Sequence, residues 1–229
     1  MKYSIVTPVY NYPGITKAIQ SVKDQRGDDY EHIVVDDCSD VELYNDLMGI
    51  PGIKLLRNNE RENKAITRNR GMEAAQGEWI CWLDADDFYL PYYLEVCDQM
   101  IAKYPGFSLF NFGAIVTHTN WNVTTKYSTC YNQGDIFKSG GIMSGSFIFK
   151  RECLDKVGYL PSHRNPYEFG RIMREKNPEL DELYGEQYDL GNPWGDDWAM
   201  FYNLTRDYQP RFIQTAPYVI MVRTPGRQL

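Results

Sequence analysis

Within the first 83 residues, four short runs rich in β-branched and aromatic residues alternate with three stretches of helical spacing. Tyr3 to Val6 reads as a strand ending at Thr7-Pro8, and Ile15 to Gln25 repeats apolar residues at Ile15, Ala18, Ile19 and Val22. Glu31 to Val35 is a second strand that stops at Asp36-Asp37, Val41 to Met48 a short helix, and Ile53 to Leu56 a third strand. Ala65 to Ala75 follows as a helix closed by Gly77, and Glu78 to Leu83 as a fourth strand. Strands and helices at this interval require right-handed crossovers. The chain is therefore expected to be an α/β protein with a largely parallel sheet covered on both faces.

Composition narrows what such a sheet can serve. At 229 residues, 43% hydrophobic and 14% aromatic, the chain suits one large domain, or two tightly joined halves, with enough core to fold alone. A formal net charge of -7 argues against a phosphate backbone as main partner, so no nucleic acid is expected. The opening MKYSIVTPVYNYPG has too short an apolar run for a signal peptide, and no later segment resembles a membrane span. The expectation is a soluble, cytoplasmic protein. Cys38, Cys81, Cys97, Cys130 and Cys153 form no CxxC pair and read as reduced, mostly buried thiols. Without a secretory signal, the glycosylation patterns at Asn122 and Asn203 are read as chance matches.

Open α/β sheets bind ligands at the carboxyl ends of their strands, and here those ends are acidic. The first ends in TPVYN (Thr7 to Asn11), the second in DDCSD (Asp36 to Asp40), and the fourth in DADDF (Asp84 to Phe88). Asp is common in loops and at helix N-caps, so any one of these pairs has an ordinary explanation. Loop acids placed at random should occur at both edges of the sheet, whereas these three strand ends share one. Carboxylates this close raise one another's pKa unless a cation sits among them. Mg²⁺ or Mn²⁺ takes oxygen ligands, typically one or two carboxylates with water and substrate phosphate oxygens. In an extended Asp84-Ala85-Asp86, alternation would point both carboxylates to one side, where they could address one metal and its ligand. A metal-bound diphosphate is the natural ligand, with Asp36 or Asp37 bonding a base or ribose and Tyr10 offering a stacking face.

The order TPVYN, VVDDCSD, ITRNRG, AAQGEWICWLDADD, GSFIFKRECLDKVGYL, GDDWAMFYNL resembles the family 2 glycosyltransferases over nearly the whole chain. That resemblance implies a GT-A fold, a Rossmann-like α/β/α sandwich with a mostly parallel mixed central sheet. It implies a single catalytic domain over 1–229, with about 1–112 binding the nucleotide sugar and about 113–229 the acceptor. By the same resemblance, Pro8, Tyr10 and Asp37, with Asp36 beside it, line the base pocket, and Arg68 lies close to base and diphosphate. Asp84 would contact the ribose and Asp86 the metal, both offering oxygen ligands. Thr67 stands where the family usually has alanine, and Cys38 where its DDGS-type segment varies.

Such a site displaces a nucleoside diphosphate from an anomeric carbon, and an inverting reaction needs one carboxylate to activate the acceptor hydroxyl. Asp196-Asp197, at the start of the helical pattern WAMFYNL, matches the family's ED motif, and Asp197 is the expected general base. The pair would also serve as an N-cap. The expected donor is a UDP-sugar with Mn²⁺ or Mg²⁺; the acceptor is a glycan, a lipid-linked saccharide or a protein side chain. His32, His118 and His163 lack ligand spacing; His163 reads as a surface residue that could approach a metal from the C-terminal half, and Arg171, Arg174 and Lys176 read either as a solvated helix face or as basic groups near the diphosphate. Tyr167, Phe169, Tyr184, Tyr188 and Trp194 belong to an aromatic stretch suited either to stacking on sugars or to a local core. A haloacid-dehalogenase-type phosphatase places its DxD near the N-terminus, a nucleotidylyltransferase needs a glycine-rich basic loop, and a dinucleotide oxidoreductase needs GxGxxG after the first strand; this chain has none of these. The alternatives are a GT-A-fold carbohydrate- or nucleotide-binding protein without turnover and, ranked below it, a metal-dependent phosphatase.

Overall fold

A computed structural model describes the backbone of residues 1–118, 123–126, 144–160 and 196–223. The first part runs β1 (Tyr3–Val9), α1 (Ile15–Lys23), β2 (Tyr30–Asp36), α2 (Val41–Met48), β3 (Lys54–Arg57), α3 (Lys64–Glu73) and β4 (Trp79–Trp82). Then follow β5 (Phe88–Tyr89), α4 (Tyr93–Lys103), β6 (Leu109–His118), β7 (Val123–Lys126), β8 (Phe147–Lys150), α5 (Leu154–Val157), α6 (Asp196–Asp207) and β9 (Arg211–Arg223). Among the described residues the strands form one nine-stranded sheet in the order β3-β2-β1-β4-β8-β6-β9-β5, with β7 on β6.

The expected β/α alternation builds the parallel part, β3-β2-β1-β4. Beyond β4 the sheet is mixed: β8 runs antiparallel to β4 and β6, while β9 runs parallel to β6. Successive residues of a strand face opposite sides, and β4 shows how both are used. Ile80 and Trp82 pack with Val6, Met72, Phe147 and Phe201, whereas Trp79 and Cys81 pack with Ile5, Val22, Cys97 and Phe110. A continuous apolar run is what burial on two faces demands.

Two local expectations are corrected. β1 does not stop at Pro8 but runs to Val9. β4 ends opposite Val6, so Pro8 pairs only with Val35 of β2, and its missing N–H breaks no ladder on the open flank. Gly77 does not close α3, which ends at Glu73. It lies against β1 instead: its N–H donates to Ser4 Oγ (2.8 Å), and a Cβ would come 2.6 Å from the Ser4 nitrogen. Gly71 has a related task, because a Cβ there would lie 2.3 Å from Val6 Cγ1. Only glycine lets α3 approach β1 this closely, and that approach sets the depth at which Arg68 enters the sheet edge.

Cys81, Cys97 and Cys153 are buried free thiols and Cys38 is half-buried, as expected of reduced cysteines; Cys130 lies outside the described residues. No helix among the described residues is long and apolar enough to cross a membrane.

Candidate active site

The carboxyl ends of β1, β2 and β4 lie side by side, because the three strands are parallel neighbours. β2 ends at Asp36, which is fully buried and sits in register with Arg57, the last residue of β3. Arg57 Nη1 donates to Asp36 Oδ2 at 2.7 Å, and the Ser39 N–H donates to Asp36 Oδ1 at 3.1 Å. Arg57 also donates to the Ser39 carbonyl (2.8 Å) and lies 4.2 Å over the Tyr44 ring. Asp36 is thus fully engaged in holding the turn after β2, where Cys38 adopts a φ of 62° and carries the strain that a left-handed conformation imposes on a side chain.

Asp37 has different company. Its N–H donates to the Val9 carbonyl (2.8 Å), fixing the second loop to the end of β1. Its Oδ1 accepts from Asn58 Nδ2 (2.7 Å) and from the Glu62 N–H (2.9 Å), whereas Oδ2 accepts from none of the described residues. Asn58 is itself oriented by Arg70, which donates to its Oδ1 (2.9 Å) and to the Arg57 carbonyl. Asp37 is therefore a rigid acceptor with one oxygen left for a ligand donor. Tyr10, one residue beyond β1, is 36% exposed at the surface of the site, whereas Pro8 is buried within the strand.

The third strand end corrects the extended reading of Asp84-Ala85-Asp86. The Asp87 N–H donates to the Asp84 carbonyl at 3.0 Å, so the segment is a tight turn, and the turn rather than strand alternation gathers the acids. It also brings in Asp87: one carboxylate oxygen from each of Asp84, Asp86 and Asp87 lies within 4.8 Å of the others. Oxygen donors at that spacing suit a hard divalent cation such as Mg²⁺ or Mn²⁺.

Two basic side chains already offset part of this charge. α3 starts at the N-cap Asn63, whose side chain accepts from the Ile66 N–H at 2.9 Å. Lys64 and Arg68, four residues apart on one helix face, both reach Asp84: Lys64 Nζ at 3.2 Å and Arg68 Nη2 at 2.5 Å. Arg68 is fully buried and lies 4.4 Å over the Trp82 ring. It anchors the acidic turn from beneath, so the charge question raised by the sequence has a second answer in the chain's own cations. Below the turn, Tyr89 donates its hydroxyl to the Trp82 carbonyl (2.7 Å), and burial pushes its phenol well above the usual range.

Asp196 and Asp197 form the first two positions of α6, a helix whose Met200, Phe201 and Leu204 are buried in the core beside Phe147 and Phe149. The side chains of Asp196 and Asp197, and residues His163, Arg171 and Arg174 with the aromatic stretch from Tyr167 to Trp194, lie outside the described residues. The sequence reading missed Arg57, Asn58, Arg70 and Lys64. A signal existed for the first two, because Arg57-Asn58 ends β3 as Asp36-Asp37 ends β2, which sets the pairs opposite each other in a parallel sheet. Arg70 carries no such mark.

The fold resembles that of TarS from Staphylococcus aureus solved in complex with UDP-GlcNAc, with a TM-score of 0.71 at 17% identity over 99% of this chain and 60% of that one. In sequence, 184 residues are 27% identical to an Escherichia coli UDP-Glc:α-D-GlcNAc-diphosphoundecaprenol β-1,3-glucosyltransferase, WfgD, covering 76% of this chain and 70% of that protein. Over 103 residues the chain is 31% identical to an uncharacterized glycosyltransferase of Haemophilus influenzae, covering 44% of this chain and 35% of that relative. The chain thus spans about a third of that relative's length and under two thirds of TarS. Residues 4–158, which carry the chain from within β1 to α5 and the acids at the ends of β2 and β4, match the description Glycosyl transferase family 2, and with its GT-A architecture the chain belongs to that family.

Proposed function

We propose that this chain transfers a sugar from a nucleoside-diphosphate sugar, a UDP-sugar in the first instance, to an acceptor hydroxyl with inversion at the anomeric carbon. The observation that carries the reading is the turn gathering Asp84, Asp86 and Asp87 within 4.8 Å, on the same sheet edge as the open Oδ2 of Asp37. A nucleoside diphosphate carries the two groups such sites would take, a base at one end and a cation-binding diphosphate at the other.

In this scheme Asp37 Oδ2 accepts the imide N–H of uracil, held in place by Asn58 and the Glu62 N–H, while Tyr10 stacks on the base. Asp84, fixed by Arg68 and Lys64, accepts from the ribose, and Asp86 with Asp84 would hold Mn²⁺ or Mg²⁺. The cation, when bound, neutralises the charge that develops on the leaving diphosphate. Asp197, at the start of α6, takes the proton of the attacking hydroxyl as general base, with Asp196 beside it at the helix N-terminus. Residues of about 1–112 serve the donor and those of about 113–229 the acceptor, which is a glycan, a lipid-linked saccharide or a protein.

Two names support the donor class: WfgD is described as a UDP-Glc-dependent transferase, and TarS was solved with UDP-GlcNAc bound. The test is thermal stability with UDP, dTDP, GDP and CDP and their sugar conjugates, each with Mn²⁺ or with EDTA. Ligand at a hundredfold excess over its dissociation constant adds about 2.7 kcal/mol, so the donor should stand out. A shift with UDP that EDTA removes is the expected result. Folded protein that responds to no nucleotide would contradict the donor assignment.

A further inference from the structure

Arg61, in the loop between β3 and α3, lies over the Tyr10 ring with its guanidinium carbon 4.1 Å from the ring centroid. The neighbouring Glu62 donates its N–H to Asp37, so the loop that carries Arg61 is also the loop that caps the base acceptor. Arg61 is exposed and Tyr10 is 36% exposed, so the pair forms a rim above the buried Asp37. A guanidinium plane stacks on aromatic faces of any kind, since its attraction is to the π cloud and its hydration is weak.

We propose that Arg61 is a further nucleotide-binding residue, which closes over the base and clamps it against Tyr10. This rests on the nucleoside-diphosphate reading of the site and assigns it a residue that the strand-end acids do not reveal. The guanidinium rests on Tyr10, in the seat proposed for the base. A base entering between them meets Tyr10 on one face and Arg61 on the other, so the cation exchanges one π face for another instead of losing its partner. The loop has the anchors for such a hinge: Asn58 is buried and tied to Asp37 and Arg70, Asn63 caps α3, and Arg61 lies between them.

The experiment measures dissociation constants of UDP and UMP with Mn²⁺, and inhibition by pyrophosphate, for the wild-type protein, Arg61→Ala and Arg61→Lys. Because Arg61 is exposed and loses only an exposed contact with Tyr10, melting without ligand should change little in both variants. The clamp requires Arg61→Ala to weaken UDP and UMP by the same factor, about three- to tenfold, and to leave pyrophosphate unaffected. Lys, which keeps the charge but not the planar fork, should fail to restore binding. The clamp is overturned by a loss that grows with the number of phosphates and is rescued by Lys, by unchanged UDP binding, or by tighter binding of the Ala variant, which would make Arg61 only an obstruction. Wild-type protein that binds no nucleotide would instead overturn the donor reading on which the clamp rests.

Discussion

The acids at the end of β2 and those after β4 look alike in sequence, DD against DADD, yet the fold gives them opposite surroundings. Asp36 and Asp37 are met by donors the chain supplies: Arg57, the Ser39 N–H, Asn58 and the Glu62 N–H. Asp84, Asp86 and Asp87 are drawn together instead, and Lys64 and Arg68 attend to Asp84. The first arrangement fixes the direction of an acceptor and suits a neutral donor such as a base N–H. The second concentrates negative charge and suits a cation. Charge count alone does not separate the two; the number and geometry of surrounding donors does.

The largest effect expected lies outside both clusters and serves as their control. Asp197→Asn should lower turnover by roughly 10²–10⁴-fold, the usual contribution of a general base, with the UDP dissociation constant unchanged. Loss of UDP binding in that variant would place Asp197 with the donor and blur the comparison.

The β2 cluster should answer mainly through stability. Arg57→Met leaves the fully buried Asp36 without its ion pair, at a cost of about 3 kcal/mol in urea unfolding. A change under half that size would mean that Asp36 relaxes to other donors. The β4 cluster should answer through ligand. Asp86→Asn should weaken UDP binding in Mn²⁺ by at least about tenfold, the lower bound for disturbing a metal's surroundings, and remove the difference between Mn²⁺ and EDTA. Asp37→Asn sharpens the contrast: it should weaken UDP while leaving the response to Mn²⁺ in place.

The most gradual effect concerns pH, because it is spread over a wide window. His32 is buried beside Thr7 (2.9 Å), and burial lowers its pKa from 6.5 to about 3. A folded-state pKa below the unfolded one means that the unfolded chain binds the extra proton between those values. Its stabilising effect is therefore complete above about pH 6.5 and is lost as pH falls toward 3. Stability should fall by at most about 1.4 kcal/mol per pH unit across that window, and His32→Gln should flatten the slope. An unchanged slope would mean that His32 does not set the acid sensitivity.

Much of this molecule was legible in the sequence, for reasons of locality. Helical and strand periodicities depend on which residues share a face within one element, so the alternation from Tyr3 to Leu83 and the acidic strand ends followed from neighbours in the chain. The mixed strands beyond β4 are set by pairings far apart in sequence, such as β4 with β8, which no periodicity encodes. The turn at Asp84–Asp87 was misread as extended because alternation and a tight turn are both consistent with so short a segment. What the sequence by itself determined was the residue inventory of one sheet edge. Only tertiary structure decided which acid meets which base: Arg57 reaches Asp36 through strand register, and Arg68 reaches Asp84 because Gly71 lets α3 sink onto β1. Those distances depend on the packing of a shared core, and a linear pattern of residue types does not contain them.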